Sequence, residues 1–166
     1  MTEEDVRRGV ATLTGRIMQI PPQVSAIKVN GERAYKRARA GEEVELQARP
    51  VTVSGFEITA FRREGDLLDV DVSVTCSSGT YIRALARDLG AFLGTGGHLT
   101  YLRRTRVGPY DLSMARTIEE LGRECVILPM AEAVAAAFPR RDVTAEEAGR
   151  VAHGGDCPRR AWARAR

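Results

Sequence analysis

The chain has 166 residues, 43% hydrophobic and 28% charged, ordinary for a soluble globular protein with room for one domain, or one and the start of a second. That composition excludes a collagen-like repeat, a long acidic tail and a membrane protein: the apolar run Ala131–Phe138, broken by Glu132, falls far short of the roughly 20 residues a membrane helix needs. Twenty-five basic and 22 acidic residues leave a net charge of +3, too small to mark a polyanion binder.

Thr2-Glu3-Glu4-Asp5 forms an approximate capping box, opening a helix with Val6, Val10 and Leu13 on one face and Gly15 at its end. An extended stretch, Arg16–Ile20, runs into Pro21-Pro22, which removes two backbone donors and forces a non-helical path. Asn30-Gly31 is a turn, and Glu32–Ala40 reads as a short helix stopped by Gly41. From Val51 the period becomes alternating, with Val53, Phe56 and Ile58 on a strand disturbed at Gly55, where a bulge is expected. After a turn at Arg63–Asp66, Leu68, Val70, Val72, Val74 and Cys76 alternate with polar residues, so these two strands should form an antiparallel hairpin with one buried face. Ser77–Thr80 turns into a helix lined by Ile82, Leu85, Leu89 and Phe92, ended by Gly94–Gly97. Leu99–Val107 reads as a further strand, Met130–Phe138 as a short helix, and Thr117 and Thr144 open two more capping boxes. A composition shift near Leu112–Thr117 separates strands from short helices.

Twenty-three of the 25 basic residues are arginine, a bias that a high-GC genome produces without any phosphate-binding role. Residues 1–110 carry 16 basic and 13 acidic side chains, residues 111–155 carry 5 and 8, and residues 156–166 carry 4 and 1, so the net excess equals that of the last stretch. Cys76, Cys125 and Cys157 include no CxxC pair, and His98 and His153 add no metal-ligand spacing, so free thiols and no metal are expected. No basic stretch followed by an apolar core opens the sequence, and the expected compartment is the cytoplasm.

Lys28, Arg33, Lys36, Arg37 and Arg39, interleaved with Tyr35, have the composition of a nucleic-acid contact and equally that of a solvated charged helix. Arg103, Arg104 and Arg106 form a second basic stretch, or an exposed strand face. Tyr81 and Arg83 sit where a strand turns into a helix, a junction whose amides favour anions, although a core tyrosine and a solvated arginine would share the spacing. His98 reads as a turn histidine, and Glu42-Glu43 and Asp69 with Asp71 as solubilising surface.

In order, these motifs are more specific than any of them alone. Gly15-x-Ile17-x-Gln19-x-Pro21-Pro22-x-x-Ser25-Ala26-x-Lys28-x-x-Gly31-x-x-Ala34-Tyr35-x-x-Ala38-Arg39-x-Gly41 resembles the bacterial tRNA pseudouridine-55 synthase family, known as TruB. So do Arg49-Pro50-Val51, Cys76-Ser77-x-Gly79-Thr80-Tyr81-Ile82-Arg83, Asp88-Leu89-Gly90 and Tyr101-Leu102-Arg103-Arg104-Thr105. The resemblance implies an α+β fold, part of a pseudouridine synthase catalytic domain with a mixed or antiparallel sheet and flanking helices. Residues 1–115 would be its C-terminal half, about 23–49 a thumb-like loop over the RNA, 116–155 the start of a small C-terminal domain, and 156–166 an atypical tail. It implies isomerisation of uridine 55 in the tRNA T-loop, on a flipped base, without metal or organic cofactor. Tyr81 would line the uracil pocket, Leu102 would pack against it, and Arg83 would pair with the nucleophilic aspartate. Lys28, Arg33, Tyr35, Lys36, Arg39, Arg103 and Arg104 would be the RNA contacts.

One departure is decisive for chemistry. The family's nucleophile lies in a Gly-x-Leu-Asp-Pro-type motif well before the Pro-Pro segment, and no such motif occurs in this sequence. The chain therefore reads as a C-terminal fragment, inactive alone: either a noncatalytic RNA-binding remnant or one needing an N-terminal partner in trans. Half a sheet should leave unpaired edges and an incompletely covered apolar face, both liabilities for folding. The Arg/Ala-rich string with Trp162 that follows His153-Gly154-Gly155 departs from the family and is expected to be read in a shifted frame; an intact frame on resequencing the locus would overturn that.

Overall fold

The computed structural model describes residues 1–29, 31–42 and 45–156; Asn30, Glu43, Val44, the stretch 157–166 with Cys157, and the side chains of Val29, Glu32, Tyr35 and Ala38 lie outside what it describes. The fold is α+β, with antiparallel sheets and six α-helices among the described residues. It divides into two compact units between Leu102 and Arg103.

The first unit opens with α1 (Glu3–Thr12), started by the expected box: the Thr2 hydroxyl accepts from the Asp5 amide at 3.2 Å and the Thr2 amide donates to the Asp5 carboxylate at 2.7 Å. Val6 and Val10, four apart on one face, are 0% and 6% exposed. A Cβ at Gly9 would stand 2.6 Å from Leu89 Cδ1 and 2.8 Å from Phe92 Cδ1, so glycine is what lets the helix carrying those residues approach. The backbone and hydroxyl hydrogen bonds of Thr2, then Arg8, hold the Asp5 carboxyl at about 2, below its ordinary 3.8. A depressed folded-state value stabilises the helix above the ordinary carboxylate range, and that contribution is lost as pH falls through about 2. Carboxyl NMR should show Asp5 titrating near 2 and Thr2→Ala returning it towards 3.8; an ordinary midpoint in the parent chain would mean the box does not form.

The main sheet has the order β1 (Gly15–Gln19), β4 (Arg49–Glu64), β5 (Leu67–Cys76), antiparallel throughout. The expected hairpin is present, with its disturbance between Val53 and Gly55 and a second between Ile58 and Ala60 that the sequence pattern did not announce. Val51 and Val53 of the central strand are buried at 8% and 0% exposure. On β5 the alternation holds, but Leu68, Val70, Val72, Val74 and Cys76 are only half-buried, and the outer edge of this strand is unpaired among the described residues.

Between β1 and β4 lies a segment with its own small core. β2 (Lys28–Val29) pairs with β3 (Glu32–Arg33) around Gly31, whose φ of 84° lies in the left-handed region. α2 then spans Ala34–Arg39. The helix starts two residues later than its pattern suggested, because the turn draws Glu32 and Arg33 back to pair with Lys28 and Val29. The Ala34 amide donates to the Ile27 carbonyl at 2.7 Å, and Ala34 packs with Leu46 and Ile27.

After β5 the chain turns through Ser77–Thr80 into α3 (Ile82–Leu93), which buries Ala84 and Leu85 and closes on Gly94 at φ 70°. α3 packs on α1, and α1 also on β4, forming the main core.

The second unit contains a two-stranded ladder, β6 (Arg106–Val107) with β7 (Tyr110–Asp111), a 3-10 turn at Leu112–Met114, and α4 (Ile118–Arg123), α5 (Met130–Ala137) and α6 (Ala145–Ala152). Both further capping boxes form, at Thr117 and Thr144. The strand expected over Leu99–Val107 is reduced to its last two residues: nothing among the described residues pairs with 99–105, and an unpaired strand has no ladder to satisfy its backbone. Among the described residues from Arg103 onward only Glu147 is buried, held by the Thr144 amide at 2.9 Å and by Arg141 at 3.4 Å.

Candidate functional site

The site is built where β1 ends and α3 begins. Ser77 closes the end of β5 onto β4, its amide donating to the Thr52 carbonyl at 2.8 Å and its hydroxyl accepting from the Thr52 amide at 3.0 Å. Gly79 (φ 84°) lets the chain reverse, and the Thr80 hydroxyl donates to the Ser77 carbonyl at 2.9 Å. Tyr81 is therefore delivered as the N-cap of α3, half-buried and without a side-chain cap bond.

Two arginines one turn apart on α3 reach back to the segment after β1. Arg83 is exposed, and its Nη2 donates to the Val24 carbonyl at 3.0 Å. Arg87 donates from Nη2 to the Ile20 carbonyl at 2.7 Å and from Nε to Asp88 Oδ1 at 2.7 Å. A guanidinium carries five N–H donors, so one carbonyl leaves Arg83 able to fork onto a carboxylate. Among the described residues no carboxylate lies within ion-pair distance of it.

The basic segment presents Lys28, Arg33 and Lys36 to solvent, and Arg39 is exposed too. Lys28 and Arg33 are register partners across the β2–β3 pair. Like charges directly opposite each other oppose pairing, a cost that an anion lying over them would offset. Arg37 is turned to Glu42 at 2.7 Å. A cavity of about 300 Å³ is lined by Pro21, Ile27, Lys28, Glu45, Leu46, Gln47 and Arg49.

Leu102 is 57% exposed and its neighbour Tyr101 73%. Arg103 and Arg104, exposed and in no regular element, belong to the second unit. The other candidates have ordinary roles: Arg62 grips Asp71 in a bidentate pair that lowers the aspartate's pKa, and His98 is exposed. Cys76 and Cys125 are free, and no cluster of three metal-ligating side chains occurs among the described residues. No helix is long and apolar enough to cross a membrane. The sequence reading passed over Gln19 and Arg87 as functional residues. Their signals were a polar residue at an inward position of a strand, and an arginine four residues beyond Arg83 on the same helix.

Residues 1–82 match the family model for the N-terminal domain of the TruB family pseudouridylate synthases, and residues 83–135 that of the tRNA pseudouridylate synthase B C-terminal domain. The chain belongs to the TruB family. It is 64% identical over 156 residues to the tRNA pseudouridine synthase B of Thermobifida fusca (strain YX), covering 92% of this chain and 53% of that protein. With the protein of the same name from Arthrobacter sp. (strain FB24) the identity is 59% over 156 residues, covering 93% and 51%. A solved structure, a Cbf5-Nop10-Gar1 complex, is 32% identical with a TM-score of 0.49, over 67% of this chain and 27% of that one. The chain spans about half the length of the curated relatives it matches.

Proposed function

We propose that this chain is the latter part of a cytoplasmic tRNA pseudouridine synthase that isomerises uridine 55 of the T-loop. The observation that carries the reading is the unbroken run of TruB similarity through residues 1–135. Residues 1–115 then hold the C-terminal half of the catalytic domain, 23–49 the loop that closes over the RNA, and 116–155 the start of the C-terminal domain. Tyr81 lines the pocket for the flipped uracil, with Leu102 against it. Arg83 holds the aspartate of the family's Gly-x-Leu-Asp-Pro-type motif ionised and oriented; a chain that needs an N-terminal partner to supply that aspartate in trans is the alternative. Lys28, Arg33, Tyr35, Lys36, Arg39, Arg103 and Arg104 meet the RNA backbone, giving affinity rather than sequence choice.

Two features support the division of roles. Arg83 has donors to spare and no carboxylate within ion-pair distance among the described residues, and the two opposed cations of the β2–β3 pair suit a phosphate. The first of these equally favours a noncatalytic RNA-binding remnant. Tritium release from unmodified tRNA, with the N-terminal half of a relative supplied separately, tests the catalytic reading. RNA binding tests what both readings share. Lys28→Ala and Arg33→Ala should each weaken binding to a T-stem-loop hairpin several-fold and flatten the plot of log affinity against log salt by about 1 per residue. An affinity indifferent to salt and to both substitutions would remove these residues from the interface.

A further inference from the structure

Gln19 is the last residue of β1 and only 2% exposed, and the other large, fully buried side chains among the described residues are Leu85, Val6 and Val53. An unpaired buried amide costs on the order of 1–3 kcal/mol, so its partners matter. They form a closed pair with one residue 62 positions away: the Tyr81 amide donates to Gln19 Oε1 at 2.8 Å, and Gln19 Nε2 donates to the Tyr81 carbonyl at 3.2 Å. The side chain thus acts like one more step of a β-ladder, gripping both polar groups of the residue that caps α3. The Tyr81 carbonyl also accepts the amides of Ala84 and Leu85, at 3.0 and 3.2 Å, so Gln19 bonds to the group on which the first helical turn is wound. Arg87 to Ile20 and Arg83 to Val24 continue the same seam in the same direction.

We propose that Gln19 is a positioning residue that sets the first turn of α3 against β1, and thereby where Tyr81 and Arg83 stand. This rests on the reading of Tyr81 and Arg83 as pocket residues. The amide is required as both donor and acceptor. Leucine fills the space with neither. Glutamate reproduces both bonds only when protonated, because an ionised carboxylate accepts from the Tyr81 amide but repels its carbonyl.

The test follows the Tyr81 amide in ¹⁵N-labelled chain. Gln19→Leu should speed its hydrogen exchange by about tenfold, one hydrogen bond's worth. Gln19→Glu should place its resonance near the parent position in acid and move it away in a single titration above the ordinary carboxylate range, since burial raises the acid's pKa. The parent chain should show no such titration. A part that merely fills the core would not produce acid rescue at Tyr81, and Gln19→Glu compared with itself across pH does not depend on Gln19→Leu remaining folded. An unchanged exchange rate in folded Gln19→Leu, or a pH-invariant Tyr81 resonance in Gln19→Glu, would overturn the proposal. Failure of the parent chain to bind the T-stem-loop would instead sink the RNA reading and leave the Tyr81 signals as predicted.

Discussion

Incubated with tRNA tritiated at carbon 5 of uridine, the chain by itself is expected to release no tritium above background, and to release it once the N-terminal half of a TruB relative is added. The proposed reaction uses a carboxylate nucleophile, and no ion pair joins Arg83 to a carboxylate among the described residues. An aspartate arriving from a second polypeptide would meet a guanidinium already fixed by the Val24 carbonyl, with its other donors open. In that mixture Arg83→Ala should lower kcat by roughly 10²–10⁴. Removing one partner of a covered ion pair costs about 3–5 kcal/mol, and each 1.36 kcal/mol is tenfold in rate. Arg83→Lys should recover only part, because an ammonium does not reproduce the two-pronged contact. Turnover by the chain alone would show that one of its own carboxylates serves. Silence from a mixture shown to bind the tRNA would refute assembly in trans and favour the noncatalytic remnant.

The parts of this fold legible from sequence were those decided locally. The Thr2, Thr117 and Thr144 boxes each close within four residues, and all three form. The alternation of Leu68 to Cys76 and the bulge at Gly55 depend on period 2 and on one missing side chain, and both are found. What failed depended on partners. Leu99–Thr105 has a strand-like composition but nothing beside it to pair with among the described residues, and Glu32 has a helical pattern that the Gly31 turn overrides. The site divides in the same way. That Tyr81 and Arg83 would stand at a strand-to-helix junction follows from Ser77–Thr80, but their partners lie 62 and 59 residues away in chain. Contacts at such separation leave no periodic trace. Gln19 is one polar letter until the structure places it under Tyr81.

Leu85→Ala should be the most damaging single truncation in the first unit. Leu85 is 1% exposed and packs where α3 meets the rest of the main core, whose other buried members are Val6, Val10, Val51, Val53 and Ala84. Such a deletion costs about 2–5 kcal/mol in lost transfer and cavity energy, against a total of about 5–15 kcal/mol for an ordinary domain. A core this small, below a sheet whose apolar face is half-covered, belongs at the lower end of that range. For a domain of roughly 100 residues each kcal/mol moves the midpoint by about 4–8 °C, so circular dichroism should record a fall of tens of degrees or loss of the cooperative transition. Leu67→Ala, 70% exposed on β5, should change the midpoint little. Gly90→Ala approaches the same core from the opposite side: a Cβ there would overlap the backbone of Gly96 and Gly97, which cannot swing aside as a side chain does. It should cost about 1–3 kcal/mol or more by displacing the chain that follows α3. Equal midpoints for Leu85→Ala and Leu67→Ala would mean that α3 is not seated on this core in solution, and Tyr81 and Arg83 would lose the frame that places them.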